Sequence, residues 1–261
     1  MTASPQAGHP LVVDLNADLG ESFGAWQLGD DEALLELVTS ANVACGFHAG
    51  DPVTIRRTCA RAVARGVVIG AQVSYRDLAG FGRREMAVPP VELEAEVLYQ
   101  LAALDGVARA EGGRVGYVKP HGALYNRAVW DAEQAAAIAA AVASYNRELP
   151  ILTLPDSAAA AAAEAAGVPV VTEAFADRAY NDDATLVRRG LPGAVLTDPD
   201  VVAARVAGLV TGGTLTSAAG AELSISARSV CIHGDTPGAV RLARAVRSAL
   251  EQAGVGLVPF A

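Results

Sequence analysis

Three histidines of this chain stand in one kind of place. His48 in F47-H-A-G-D51, His121 in K119-P-H-G122 and His233 in I232-H-G-D235 each directly follow an apolar, strand-like segment, with a glycine close behind. In a parallel α/β fold the ends of such strands gather at one mouth, where sites are built. The three histidines are therefore expected to converge on one site, the alternative being separate capping and packing roles. The glycines let backbone approach a ligand closely and offer N–H groups to an anion. The fourth histidine, His9, lies in the N-terminal tail.

Carboxylates cluster in the same way. The first strand runs into D14-L-N-A-D18-L-G-E21. Residues two apart share a strand face, so Asp14 and Asn16 point the same way with Asp18 just beyond, while Val13 and Leu15 face the helices. Two carboxylates and an amide without a neighbouring cation suit a hard metal ion or acid/base work; an Asx turn with solvated carboxylates is the plainer reading. Lys119 is the only lysine beside 19 arginines, and it sits two residues before His121 on the same strand face. A compact, tunable ammonium does what a guanidinium cannot. E173-A-F-A-D-R178 offers Glu173, Asp177 and Arg178, the last either a carboxylate clamp or a local ion pair. Arg83 in G80-F-G-R-R84 is either an anion clamp or part of a solvated turn. Asp235 reads as a helix N-cap whose terminus would welcome a phosphate.

The elements that must hold these residues alternate along the chain. Strands are predicted at Leu11–Asn16, Ala41–Gly46, Val67–Ser74, Val115–Val118, Ile151–Leu154, Pro169–Glu173, Ala194–Thr197 and Ser229–His233. Between them lie helices over Asp30–Thr39, Asp51–Gly66, Pro89–Glu111, Asp131–Tyr145, Ser157–Ala166, Pro199–Thr211 and Pro237–Ala253. The longest aligns Leu93, Val97, Leu101, Leu104 and Ala108 on one face. The tract 212–226 has no clear period. Seven or so β/α units at ~35 residues each fill 261 residues, which favours a TIM-like (β/α) barrel as one domain over residues 11–261, behind a flexible tail over 1–10. A doubly wound open sheet gives the same alternation.

Composition narrows the function. A net charge of −9 lacks the basic footprint a phosphate backbone demands, so no nucleic-acid partner is expected. No apolar run is long enough to span a bilayer, and MTASPQAGHP shows no export signal, so a cytoplasmic protein is expected. Cys45, Cys59 and Cys231 have no paired spacing and read as small buried hydrophobes. GxxxxGK[ST], GxSxG, HExxH and a strand-bound GxGxxG are all absent, so any nucleotide must bind without a Walker loop.

Taken together, V13-D-L-N-A-D-L-G-E21, S40-A-N-V-A-C-G-F-H-A-G-D51, G80-F-G-R-R84, V118-K-P-H-G-A-L-Y-N126, E173-A-F-A-D-R-A-Y180 and C231-I-H-G-D235 resemble the LamB/YcsF family. Its members are assigned as the A component of the prokaryotic ATP-dependent 5-oxoprolinase. The resemblance implies an irregular seven-stranded (β/α) barrel related to polysaccharide deacetylases, ATP-driven opening of 5-oxoproline to glutamate, and separate B and C subunits. Many members carry a histidine in a G-A-H-P-S segment where this chain has G70-A-Q-V-S74. Gln72 is a poor transition-metal ligand, which argues against tightly bound zinc and for Mg²⁺ brought with ATP, or no tightly held metal.

On this reading Asp14, Asn16, Asp18, His48, Lys119 and His121 are the catalytic candidates. Glu21, Gln72, Ser74, Arg83, Glu173, Arg178, His233 and Asp235 are expected to bind substrate, and Asp18, His48 and His121 would take any metal. The lactam reaction needs a base (Asp18 or Asp14), a proton donor to the ring nitrogen (His121 or His48), a cation (Lys119) and a carboxylate clamp (Arg178). A metal-dependent carbohydrate deacetylase or amide hydrolase, or a non-catalytic component that binds lactam, draws on the same inventory.

Overall fold

The computed structural model describes residues 11–261; His9 and the tail assigned to 1–10 lie outside the described residues. In chain order the elements are β1 (Val12–Leu19), α1 (Asp31–Leu35), β2 (Ser40–Ala44), α2 (Pro52–Arg65), β3 (Val68–Val73), α3 (Pro90–Ala110), β4 (Val115–Pro120), α4 (Gly122–Ala128) and α5 (Ala132–Tyr145). They continue with β5 (Ile151–Thr153), α6 (Ala158–Ala165), β6 (Val170–Phe175), α7 (Pro199–Gly212), β7 (Thr214–Thr216), β8 (Glu222–Ser224), β9 (Ser229–Ile232), α8 (Ala239–Gln252) and β10 (Gly256–Leu257).

Strands β1, β2, β3, β4, β5, β6 and β9 are parallel neighbours in that order, and β1 pairs back onto β9, so the sheet closes into a seven-stranded barrel. The upper part of β1 carries β9 on one edge, while Val12 and Val13 pair with β10 below. Closure leaves the barrel strands without a free edge. Val13, Leu15, Ala17 and Leu19 of β1 pack outward into the core under the helices. The predicted face of α3 is buried from Leu93 to Ala108, each large aliphatic contributing about 1.5–3 kcal/mol. Local signals fix the helix starts: Asp51 accepts from Val53 N and Thr54 N with Pro52 behind it, and Asp198 likewise accepts from the first turn that Pro199 opens.

The inner face is unusual because it is polar. Asp14, Asn16, Asp18, Ser40, Asn42, Gln72, Lys119, Glu173 and Ser229 are all buried. Apolar side chains seal the floor, where Tyr117, Leu152 and Val171 pack together and Phe260 meets the Tyr117 ring at 4.9 Å. The Tyr117 ring fits because position 70 is glycine: a Cβ there would lie 2.1 Å from it.

Several expectations need correction. β1 runs on to Leu19, so Asp18 lies inside the strand and shares the inner face with Asp14 and Asn16. The Asp30–Thr39 helix is only Asp31–Leu35. Ala194–Thr197 is not a sheet strand; Val195 makes one isolated bridge to Arg178. The tract 212–226, without period in the sequence, holds the antiparallel β7–β8 hairpin. α4 has no signature in the sequence, since G122-A-L-Y-N-R-A128 is short and its N-terminus has no side-chain cap. α8 starts at Gly238 without a side-chain cap, so Asp235 is not its N-cap.

Candidate active site at the barrel mouth

The barrel interior holds one connected polar network. Lys119 Nζ lies 2.7 Å from Glu173 Oε2 and 3.2 Å from Asn16 Oδ1, with the Phe175 ring centroid 4.9 Å away. Asn16 Nδ2 donates to Ser229 Oγ at 2.7 Å, and Asn42 Nδ2 donates to Asn16 Oδ1 at 2.7 Å and Asp18 Oδ1 at 2.9 Å. Tyr117 donates its hydroxyl proton to Asn42 Oδ1. Burial works against the charge on Lys119, but the Cys231 sulfur, Glu173 and Asp18 around it outweigh that and raise its pKa. Burial pushes the Glu173 carboxyl up, and Lys119 pulls it back. The pair is held as ammonium and carboxylate.

Above it, His48 and His121 stack with ring centroids 4.2 Å apart and planes at 20°. Each Nε2 is 3.9 Å from Glu21 Oε1, and Gln72 links the group, donating to Glu21 Oε1 and meeting His48 Nε2, both at 3.2 Å. Burial lowers His48 to about 4. Burial, then the charges of His48 and Arg83, drives His121 well below the usual imidazole value. Burial and the nearby Asp18 and Asp235 charges raise Glu21 well above the usual carboxylate range. Burial thus keeps both imidazoles neutral at neutral pH and makes the Glu21 carboxyl hold its proton more tightly than an exposed glutamate.

A second histidine unit completes the mouth. His233 Nδ1 donates to Asp177 Oδ1 at 2.8 Å, and Thr236 Oγ1 donates to Asp177 Oδ2 at 2.8 Å. Burial works to raise the Asp177 carboxyl, yet His233 and Thr236 bring it below its ordinary value. This bond leaves the His233 Nε2 lone pair available for a proton. The loop over residues 77–84 closes across the top. Phe81 meets both His48 and His121 edge-on, at 5.9 and 5.5 Å. Gly82 (φ +67°) sits over Ser74 and the two imidazoles, where a Cβ would come within 2.4 Å of Ser74 Oγ. Arg83 ties the loop to Asp235 at 2.7 Å, and Arg189 meets the same carboxylate at 3.1 Å. Beside this lies a cavity of about 410 Å³ bounded by Glu21, His48, Phe81 and Trp26.

Most of the candidates from the sequence thus meet at one mouth; three play other parts. Asp14 is at the base of the barrel, both its oxygens engaged by the hydroxyls of Thr39, Ser40 and Ser229, away from the mouth. Ser74 is covered by Gly82 and points its hydroxyl at the His121 carbonyl, so it seats the loop. Arg178 is no free clamp: its guanidinium donates to the carbonyls of Ala194 and Val187. The metal set also changes. Glu21, not Asp18, joins His48 and His121 as a group with donor atoms within 4.8 Å of one another. Its two rings are stacked, and Gln72 bridges His48 and Glu21. Two imidazoles and a carboxylate are donors a divalent ion could use, and their neighbour Gln72 is a weak ligand.

The sequence matches the LamB/YcsF family over residues 13–261. The chain belongs to this family. It is 62% identical over 250 residues to the 5-oxoprolinase A subunit of Streptomyces avermitilis, covering 96% of this chain and 100% of the relative. The protein of the same name from Mycolicibacterium gilvum is 56% identical over 248 residues, 95% of this chain and 98% of its own. The crystal structure of the lactam utilization protein from Thermus thermophilus superposes with a TM-score of 0.91 at 47% identity, covering 95% of this chain and 100% of that one.

Within this LamB/YcsF barrel, sequence reasoning alone misses Asn42, Tyr117, Asp177 as partner of His233, and Arg189. Asn42 and Tyr117 are legible as inward positions once the register is known. Asp177 lies two residues past β6, beside the strand carrying His233. Arg189 has no sequence signal, since it comes from an irregular loop.

Proposed function

We propose that this chain is the A component of an ATP-dependent 5-oxoprolinase, opening the γ-lactam of 5-oxo-L-proline to L-glutamate together with separate B and C subunits. What carries the reading is the near-full-length likeness to proteins named for that activity. A mouth equipped for amide chemistry stands beside it. ATP, arriving with Mg²⁺, supplies the activation of an otherwise inert lactam oxygen when bound to the assembled enzyme.

This chain's residues do the rest. Lys119, fixed by Glu173 and Asn16, places a positive charge where the lactam oxygen gains negative charge. Asp18, with one oxygen held by Asn42 and the other without a partner among the described residues, takes the proton of the attacking water. The ring nitrogen must be protonated before it leaves. His121 beside the Glu21 carboxyl is placed to pass a proton to it, and His233, oriented by Asp177, is the second carrier. Phe81 and the loop over 77–84 exclude bulk water.

The test is release of glutamate from 5-oxo-L-proline by this chain reconstituted with its B and C partners, with and without ATP. ATP-dependent release is expected. A well-folded complex that releases none refutes the proposal, and release unchanged by Lys119→Met or His121→Gln would make this chain a scaffold.

A further inference from the structure

With Arg178 occupied, the mouth lacks the group expected to recognise the substrate's carboxylate. Two other guanidiniums lie there, and both face Asp235. Arg83 Nη2 is 2.7 Å from Asp235 Oδ2, and Arg189 Nη1 is 3.1 and 3.4 Å from its two oxygens. Two guanidiniums share this one carboxylate, so it does not occupy all the donors of either. Arg189 Nη2 is moreover buried with no hydrogen-bond partner among the described residues. A buried guanidinium N–H without an acceptor costs free energy comparable to a lost charged hydrogen bond, which an anionic ligand would recover.

The loop bearing Arg189 is braced towards the mouth. Arg178 donates to Val187 O, two residues away, and Val187 N donates to Ala179 O at 3.0 Å. Arg178 therefore acts through the loop, as a positioning residue for Arg189. From the other side, Arg83 stands on the loop that covers His48 and His121, with its guanidinium over the Phe81 ring at 4.8 Å. The two arms come from separate loops and meet at Asp235, beside the imidazoles.

We infer that Arg83 and Arg189 form a clamp for a single carboxylate, that of the lactam substrate, with Asp235 bridging the two guanidiniums. The ligand class is a small monocarboxylate. Two planar, forked donors meeting at one place suit the two oxygens of one carboxylate. The clamp rests on the 5-oxoprolinase reading and adds to it the residues that select an α-carboxylated lactam over a neutral one.

The experiment compares 5-oxo-L-proline with its neutral carboxamide as substrates of the reconstituted complex, for wild type, Arg189→Gln and Arg189→Lys. Arg189→Gln is expected to raise KM for 5-oxoproline by ~10–100-fold, with the loss in KM and not kcat, and to leave KM for the carboxamide nearly unchanged. Arg189→Lys, which keeps the charge without the fork and guards against a folding defect in the first variant, is expected to fall between. Equal losses on both substrates, or none, overturn the clamp. A rise in KM for ATP with none for 5-oxoproline overturns it in favour of a phosphate ligand. A wild-type complex inactive on 5-oxoproline overturns the functional reading and the clamp with it, so the two failures are distinct.

Discussion

Replacing Lys119 by methionine leaves Glu173 buried without its cation. At 2.7 Å and an effective dielectric of about 20 the two charges attract by roughly 6 kcal/mol, most of it offsetting the cost of burying them. Removing one partner of such a pair costs about 3–5 kcal/mol. The cost has a pH signature. In the variant, the folded-state pKa of Glu173, already raised by burial beside Lys119, rises further above the roughly 4.3 of an unfolded glutamate. The folded chain then binds more protons than the unfolded one, so stability falls as pH rises, by about 1.4 kcal/mol per unit. Between pH 5 and pH 7 Lys119→Met is expected to lose more stability than wild type, by at most about 3 kcal/mol, with the gap narrowing as pH falls. Adding Glu173→Gln removes the titrating group and with it the slope. Urea unfolding of the three proteins across this range reads the effect directly. A Lys119→Met deficit equal at both pH values, or a double variant whose loss is the sum of the single ones, refutes the ion-pair account.

Three further outcomes are expected. Lys119→Arg keeps the charge but puts a longer, planar group into a closed interior; turnover by the complex should fall ~100-fold, about 3 kcal/mol, with the melting temperature as folding control, and near-normal turnover would remove Lys119 from the site. Asp177→Asn should leave His233 in place but disturb its tautomer, lowering kcat by on the order of 100-fold with little change in KM, whereas a change confined to KM would assign His233 to binding. His48, held at about 4 against roughly 6.5 unfolded, should make the protein lose about 3 kcal/mol of stability as pH falls from 7 to 4, because the unfolded chain takes up the proton first. Denaturation of His48→Gln across that range should show the loss removed, and an unchanged profile would disprove the buried neutral imidazole.

Much of this barrel is written in local sequence. Alternation along V13-D-L-N-A-D18 separates a polar face from an apolar one, and Asp51-Pro52 or Asp198-Pro199 fixes a helix start with no need of tertiary context. The histidine motifs are legible because each closes a strand, and parallel strands bring their ends together whatever the details. What is not legible depends on contacts across the barrel. Asp14 and Asp18 look equivalent in sequence, yet four residues of strand carry Asp14 to the base, where Thr39, Ser40 and Ser229 engage both its oxygens, and Asp18 to the mouth. Arg178 is turned onto the Ala194 and Val187 carbonyls, and Arg189 brought to Asp235, by the irregular segment between β6 and α7, and no periodicity encodes that.

The polar interior also explains why Asp14 belongs with the site though it cannot touch a substrate. Ser229 donates to Asp14 and accepts from Asn16; Asn16 in turn accepts from Lys119. Asp14 uses up the serine's only proton, so the Ser229 oxygen must act as acceptor towards Asn16 Nδ2. That fixes the amide's orientation and leaves its carbonyl oxygen facing Lys119. The direction of every bond from the base of the barrel to the ammonium is therefore set by one carboxylate, and a preorganised cation at the mouth follows from it. An apolar barrel core would be easier to stabilise, but it could not aim a lysine.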